Sequence, residues 1–253
     1  MNLLLDTTIQ IDRITGSKER KKAVEEILKD NRLFCSTYVL GEYYANLVND
    51  FVTLYGLFMI DKNIAETGKR INERIFGRSQ ARVAKVFFNI LELCDGNIEE
   101  IEDEFSLYLD VLQDEFYLNI EEIIDTTKCA RADRKVIYEE GVPVLQAVKC
   151  TKEKEACGIC PFWRSSQKEI DQIIEKGEID KKIQNILNSA RENEREYLGR
   201  NCLTLGDTII SLEALKDRRE LGVCSSNKKD FQPICSALGV ELVVPDYSWK
   251  GHT

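Results

Sequence analysis

Leu3-Leu4-Leu5-Asp6-Thr7-Thr8 opens the chain with a short apolar run that stops on an acid. A run apolar at every position reads as a strand buried on both faces, as in a parallel sheet. The same kind of boundary recurs. Ser36-Thr37-Tyr38-Val39-Leu40-Gly41-Glu42 follows a second apolar stretch, and Leu205-Gly206-Asp207 and Ser225-Ser226-Asn227-Lys228-Lys229-Asp230-Phe231 lie near the other end. Each puts an acid or amide at the end of a strand or the start of a helix. Open parallel sheets gather such positions outside the carboxyl ends of their strands. Several carboxylates meeting there repel one another unless a hard cation sits between them. Mg²⁺ takes carboxylate oxygens and keeps several waters, which leaves room for phosphate. The expectation is a divalent-metal phosphodiesterase site.

Working outward, alternation of strands and helices marks both ends of the chain. Strands are predicted over 2–5, 33–36, 222–225 and 240–244. Helices are predicted over 18–30, 37–48, 64–75, 207–218 and 229–238, with a short apolar stretch at 57–60. Between the ends the pattern is mostly helical, over 80–93, 97–124 and 170–197, with a less regular part at 139–161. In 97–124, Ile98, Ile101, Phe105, Tyr108, Leu112, Phe116, Ile120 and Ile123 form one stripe. The fold class expected is α/β, a three-layer parallel-sheet domain with a mostly helical insertion. Its parts are a first half over 1–75, the insertion over 76–194, and a second half over 195–253.

Composition narrows the chemistry. At 253 residues the chain can bury a full core, and 43% hydrophobic with 31% charged residues describes a soluble globular protein. The opening apolar run is too short for a signal peptide, and no run spans a bilayer, so no membrane partner is expected. Nine cysteines without a secretion signal point to a reducing, cytoplasmic setting, where metal binding is commoner than disulfides. The single histidine, His252, argues against a Ser-His-Asp triad and a histidine-based zinc hydrolase. The net charge of −9 is unevenly placed: 97–125 carries eleven acids and no Lys or Arg, and the rest of the chain carries +2. The 128–168 stretch has nine Lys or Arg against five acids.

These motifs carry a resemblance. Leu3-Leu4-Leu5-Asp6-Thr7-Thr8 resembles the opening strand of PIN-domain nucleases, and Ser36 to Glu42 resembles their second strand and helix. Leu57-Phe58-Met59-Ile60-Asp61 with the helix after it resembles the next family segment. Gly206-Asp207-Thr208-Ile209-Ile210-Ser211-Leu212-Glu213-Ala214 resembles the third-acid helix. Ser226-Asn227-Lys228-Lys229-Asp230-Phe231 resembles the closing motif, and 239–245 the last strand. The match covers roughly 1–75 and 195–247. The resemblance implies that Asp6, Glu42 and Asp207 hold one or two Mg²⁺ or Mn²⁺ ions that activate water against a phosphodiester. Asn227 departs from the acid often found at its position, and Asp230 stands close enough in sequence to supply charge. Thr8 keeps a hydroxyl where Asn or Ser is usual. The bland alternatives are that Asp6 and Asp207 cap helices and that Glu42 is a solvated helix residue.

Cys150, Cys157 and Cys160 read C-x6-C-x2-C, and Cys129 lies upstream. Four thiolates without histidine suit a [4Fe–4S] cluster or a Cys₄ zinc site, with the cluster slightly preferred and unliganded thiols as the third alternative. The spacing resembles the start of the cluster loop in endonuclease III-type DNA glycosylases, but their fourth cysteine would fall at Ser166. Cys94 is the reserve fourth ligand, and Cys35, Cys202, Cys224 and Cys235 read as small buried hydrophobes. Arg131, Lys149, Lys152 and Arg164 surround the module, and basic residues among aromatics can track a phosphate backbone. Trp163 reads as buried over the metal.

The function expected is a metal-dependent endonuclease; the resemblance to PIN domains implies RNA before DNA, and nothing in the residues decides between the two. The alternative is a non-cleaving nucleic-acid-binding or assembly subunit with a vestigial site. A toxin-like ribonuclease ranks lower, because the insertion makes the chain long. A second copy of the chain and a protein on the acidic 97–124 segment are further partners to consider. For that segment, a helix with one buried stripe and one solvated face is the stronger reading.

Overall fold

The computed structural model describes residues 1–148, 150, 157–176, 178–197 and 200–247, without the side chains of Arg78, Glu194, Arg195 and Arg200. Lys149, Lys152 and His252 lie outside the described residues. The chain is α/β and mostly helical, and it divides into two compact units. One comprises residues 1–42, 119–133 and 148–253, and the other 43–118 and 134–147.

The first unit is built on a five-stranded sheet. Its strands are β1 (Asn2–Leu5), β2 (Arg32–Ser36), β3 (Ile120–Ile124), β6 (Gly222–Cys224) and β7 (Leu242–Val243); β4 (Val136–Glu139) and β5 (Val142–Leu145) belong to the other unit. The order is β3-β2-β1-β6-β7, and every pairing is parallel. Leu3 of β1 lies beside Leu33 of β2 and Gly222 of β6, so the two ends of the chain meet in the centre of one sheet. Leu3, Leu4 and Leu5 are fully buried, as a central strand covered on both faces requires. Ser17 caps the helix Lys18–Leu28, its hydroxyl accepting from the Arg20 N–H at 3.4 Å.

The second unit packs the helices Asn49–Asp61, Ile64–Arg74, Gly77–Leu93 and Ile98–Glu115 with the β4–β5 hairpin. Phe105 is its buried centre, stacked on Tyr55 at 5.1 Å and tilted against Phe58 at 5.2 Å. Such pairs stabilise beyond their buried area by about 1 kcal/mol each. Asn63 and Asn97 cap two of the helices with their side-chain carbonyls. The 57–60 stretch forms the last turns of Asn49–Asp61, which Lys62 closes in the left-handed conformation.

The continuous helix expected over 97–124 is corrected. It ends at Glu115, Asn119 takes a left-handed φ of 62°, and Ile120–Ile124 becomes β3, paired with β2. Ile101, Phe105, Leu112 and Phe116 keep the buried stripe, whereas Ile98 is exposed and Ile120 and Ile123 are half-buried in the strand. An Ile-Glu-Glu-Ile-Ile run fits either period, and sheet pairing decides between them. The irregular part at 139–161 begins with a hairpin. Glu140 and Gly141 both have positive φ, 52° and 82°, the signature of a type I′ turn. The 170–197 segment is two helices, Gln167–Lys176 and Lys181–Glu192, followed by a short 3₁₀ turn at Glu194–Tyr197. No helix among the described residues is long and apolar enough to cross a membrane.

Candidate active site

Strand order changes direction at β1. From there β2 and β3 lie on one side, and β6 and β7 on the other. The crevice at such a switch point opens outside the carboxyl ends of β1 and β6, where α/β sheets bind ligands. Asp6 follows β1 directly, and Ser225 follows β6. The Asp6 N–H donates to the Cys224 carbonyl at 2.9 Å, which continues the ladder to the crevice.

Asp6 is 4% exposed. It precedes the helix Thr7–Thr15, yet its side chain makes no capping hydrogen bond. Instead the Thr8 and Ser225 hydroxyls donate to its Oδ2 at 2.6 and 2.7 Å. Glu42 lies in the helix Thr37–Tyr43 that follows β2. The Thr7 hydroxyl donates to Glu42 Oε2 at 2.9 Å, and the Tyr38 hydroxyl lies 3.0 Å from Oε1. Asp207 sits in the first turn of the helix Gly206–Lys216. The Asn227 side-chain amide donates to Asp207 Oδ2 at 3.3 Å and to Asp230 Oδ2 at 2.9 Å. Asn227 stands at the N-cap of the helix Lys228–Leu238 without a side-chain capping bond. The fold thus draws Asp6, Glu42, Asp207, Asn227 and Asp230 to one edge of the sheet.

These carboxylates feel one another. Burial, and then the charge of Asp6, raises Glu42 above its ordinary value. Burial raises Asp6 too, against the hydrogen bonds that lower it. Asp207 is pushed up to about 8 by burial and by the charges of Asp6, Glu42 and Asp230. Clustered acids disfavour one another's ionised forms, and a cation reverses the effect. Among the described residues, no three His, Cys, Asp or Glu side chains stand in an arrangement that holds a metal ion. The donor chemistry nevertheless fits the group that the resemblance implies. It consists of carboxylate oxygens, the hard donors that Mg²⁺ and Mn²⁺ take.

A thiol-rich region lies in the same unit. Cys129 is half-buried, Cys150 exposed, and Cys157 and Cys160 buried. A Cβ on Gly158 would lie 2.8 Å from the Thr127 carbonyl, so the Cys157–Cys160 turn packs onto the segment leading to Cys129. Burial raises the Cys157 thiol, a hydrogen bond from the Ile159 N–H opposes the rise, and Cys150, Cys129 and Cys160 add to it. Cys202 joins this group. Burial raises its thiol, Arg131 lowers it, and Cys129, Cys150 and Cys157 raise it further. Cys94 belongs to the other unit. Trp163 is fully buried and stacked on Tyr197 at 4.4 Å, and among the described residues its Nε1 has no hydrogen-bond partner.

Arg131 is 8% exposed, which takes it off the basic surface expected for it. Its guanidinium lies 5.1 Å from the centre of the Tyr38 ring, and among the described residues its Nη2 has no hydrogen-bond partner. Burial alone would lower its pKa, but Cys129, Tyr38 and Glu42 hold it above the ordinary value. Gly41 makes room for this segment. A Cβ there would sit 2.8 Å from Arg131 Cβ and 3.2 Å from Cys129 Sγ. Arg164 is exposed.

Sequence reading missed several contributors. Thr7, Tyr38 and Ser225 hold the carboxylates, yet only the hydroxyl-rich turns around Asp6 and Ser225 hint at this. Glu213 is 1% exposed, accepts from the Thr127 hydroxyl at 3.2 Å, and is pushed up to about 8, first by burial. Its signal was an acid inside the apolar run Ile209-Ile210-Ser211-Leu212-Glu213-Ala214. No protein-family model, curated protein or solved structure matches this chain.

Proposed function

We propose that this chain is a divalent-metal-dependent endonuclease of PIN-like type that hydrolyses phosphodiester bonds, RNA before DNA. One observation carries the reading: Asp6, Glu42 and Asp207 stand together at the switch point of a parallel sheet, where the charge of Asp6 raises Glu42 and the charges of both raise Asp207. Buried acids brought together at a ligand crevice are the negative half of a cation site.

Asp6, Glu42 and Asp207 would hold Mg²⁺ or Mn²⁺. When bound, the ion supplies an activated water and charge neutralisation at the leaving oxygen. The chain supplies order. Thr8 and Ser225 fix one oxygen of Asp6, and Thr7 and Tyr38 fix the two oxygens of Glu42. Asn227 presents an amide between Asp207 and Asp230, where it adds no charge and donates hydrogen bonds. Cys129, Cys150, Cys157 and Cys160 are thiols suited to a [4Fe–4S] cluster or zinc, and either would order their segment.

The test is cleavage of labelled RNA and DNA by anaerobically purified protein with Mn²⁺ or Mg²⁺, wild type beside Asp6→Asn. The proposal expects cleavage by the wild type alone. Equal cleavage by both proteins would assign the activity to a contaminant. Binding without cleavage under every condition would make the chain a non-cleaving nucleic-acid-binding subunit.

A further inference from the structure

The helix Lys228–Leu238 begins one residue after Asn227 and packs against the helix Gln167–Lys176, where the Gln172 amide donates to the Ala237 carbonyl at 2.5 Å. An open cleft of about 740 Å³ runs along this pair of helices. Among the described residues its charged lining is Lys176, Lys228 and Lys229 with one acid, Glu178. All three lysines are exposed, and none makes an ion pair among the described residues. Arg32 and Arg219 of the same unit, by contrast, are paired with Glu121, Glu122 and Asp217.

We infer that the Lys176–Lys228–Lys229 cleft is the path of a nucleic-acid backbone next to the carboxylate site. The inference rests on the nuclease reading above and adds where its substrate lies. Three features carry it. The lysines are unpaired, so they are available to phosphates without breaking an existing contact. They line a cleft rather than scatter over a convex surface. Lys228 of that lining also follows Asn227 directly in the chain, and the Asn227 amide donates to Asp207, so the lining and the acids adjoin at the start of one helix. Lysine is a point charge that follows phosphates without reading bases. The ligand chemistry is therefore the phosphodiester backbone itself, common to RNA and DNA. The basic residues of the cysteine module are not needed for this path.

The experiment measures binding apart from cleavage. Full-length Asp6→Asn protein, without divalent metal, is titrated into fluorescein-labelled single strands of about 12 nucleotides, RNA and DNA of one sequence. Anisotropy is followed across a salt series. Lys228→Ala/Lys229→Ala, and Lys176→Ala added to it, are compared with Lys18→Ala/Lys29→Ala, which removes two exposed lysines elsewhere on the unit. The expected result is a loss of about tenfold in affinity for both polymers on the double change. Each lysine removed should lower the salt slope by about 0.7. The control pair should bind like the parent, and all variants should melt alike. Unchanged affinity and slope in the cleft variants, an equal loss in the control pair, or a loss confined to one polymer would overturn the inference. A wild type that never cleaves would overturn the nuclease reading and leave this measurement standing.

Discussion

The Thr7 hydroxyl donates to Glu42 Oε2 at 2.9 Å, and so ties the residue after the first candidate ligand to the second. One link joins the turn after β1 to the helix after β2, across the sheet's central pairing. Cation binding should therefore be sensitive to small displacements of this frame, more than overall stability is.

Mn²⁺ should stabilise the wild-type protein against heat. A ligand at a hundred times its Kd adds about 2.7 kcal/mol, which for a chain of this size raises Tm by roughly 5–10 °C. Asp6→Asn should melt at or above the metal-free wild type, because it removes repulsion among buried acids, and should lose most of the Mn²⁺ response. Differential scanning fluorimetry with and without Mn²⁺ checks both halves. An undiminished response in the variant would remove Asp6 from the site.

Gly206→Ala should separate binding from folding. A Cβ at this position would stand 2.9 Å from the Tyr38 hydroxyl and 3.2 Å from Glu42 Oε1. Alanine is the better helix former by about 1 kcal/mol, so the melting temperature should change little. Displaced ligand partners typically cost about 10–100-fold in metal affinity. Mn²⁺ titration followed by electron paramagnetic resonance should show the weaker site. Unaltered affinity would mean that Tyr38 and Glu42 move aside freely.

Glu213 gives the stability a pH dependence. Its pKa is about 8 in the fold against an ordinary 4.5. Between these values the folded protein holds a proton that the unfolded chain releases, so this group's contribution falls as pH rises from about 4.5 to 8 and is flat above. Glu213→Gln removes the slope. Urea unfolding should place the variant close to the wild type near pH 5 and above it near pH 8.5, by at most about 5 kcal/mol. A difference that does not vary with pH would show that Glu213 ionises freely in the fold.

The thiols should answer to metal analysis. Anaerobically purified protein is expected to carry iron with sulfide, or zinc, and its absorption spectrum distinguishes them. Cys157→Ser should lose the metal and shift the emission of the buried Trp163. Cys202→Ser asks whether the fifth thiol of the group is a ligand, since it shares the surroundings of Cys129, Cys150 and Cys157. Neither iron nor zinc in the wild type would reject the metal centre.

The sequence alone carried the strands at both ends, because Leu3-Leu4-Leu5 and Gly222-Val223-Cys224 have no period but that of full burial, and it placed Asp6 after the first strand, Glu42 in the helix after the second, Asp207 at the start of a helix and Asn227 in the turn after the strand near the other end. Local chemistry suffices for such assignments. Tertiary structure decided the rest. Ile120–Ile124 became a strand because β2 offered it an unpaired edge, which no local pattern encodes. Arg131 and Cys202 belong with residues about 90 and 160 positions away, Tyr38 and Gly41 included, because chain segments distant in sequence pack on one helix. The lysines at 176, 228 and 229 form one cleft for the same reason. Charge, burial and repulsion fall off over a few ångströms of space, so their partners are set by the folded path of the chain and not by spacing along it.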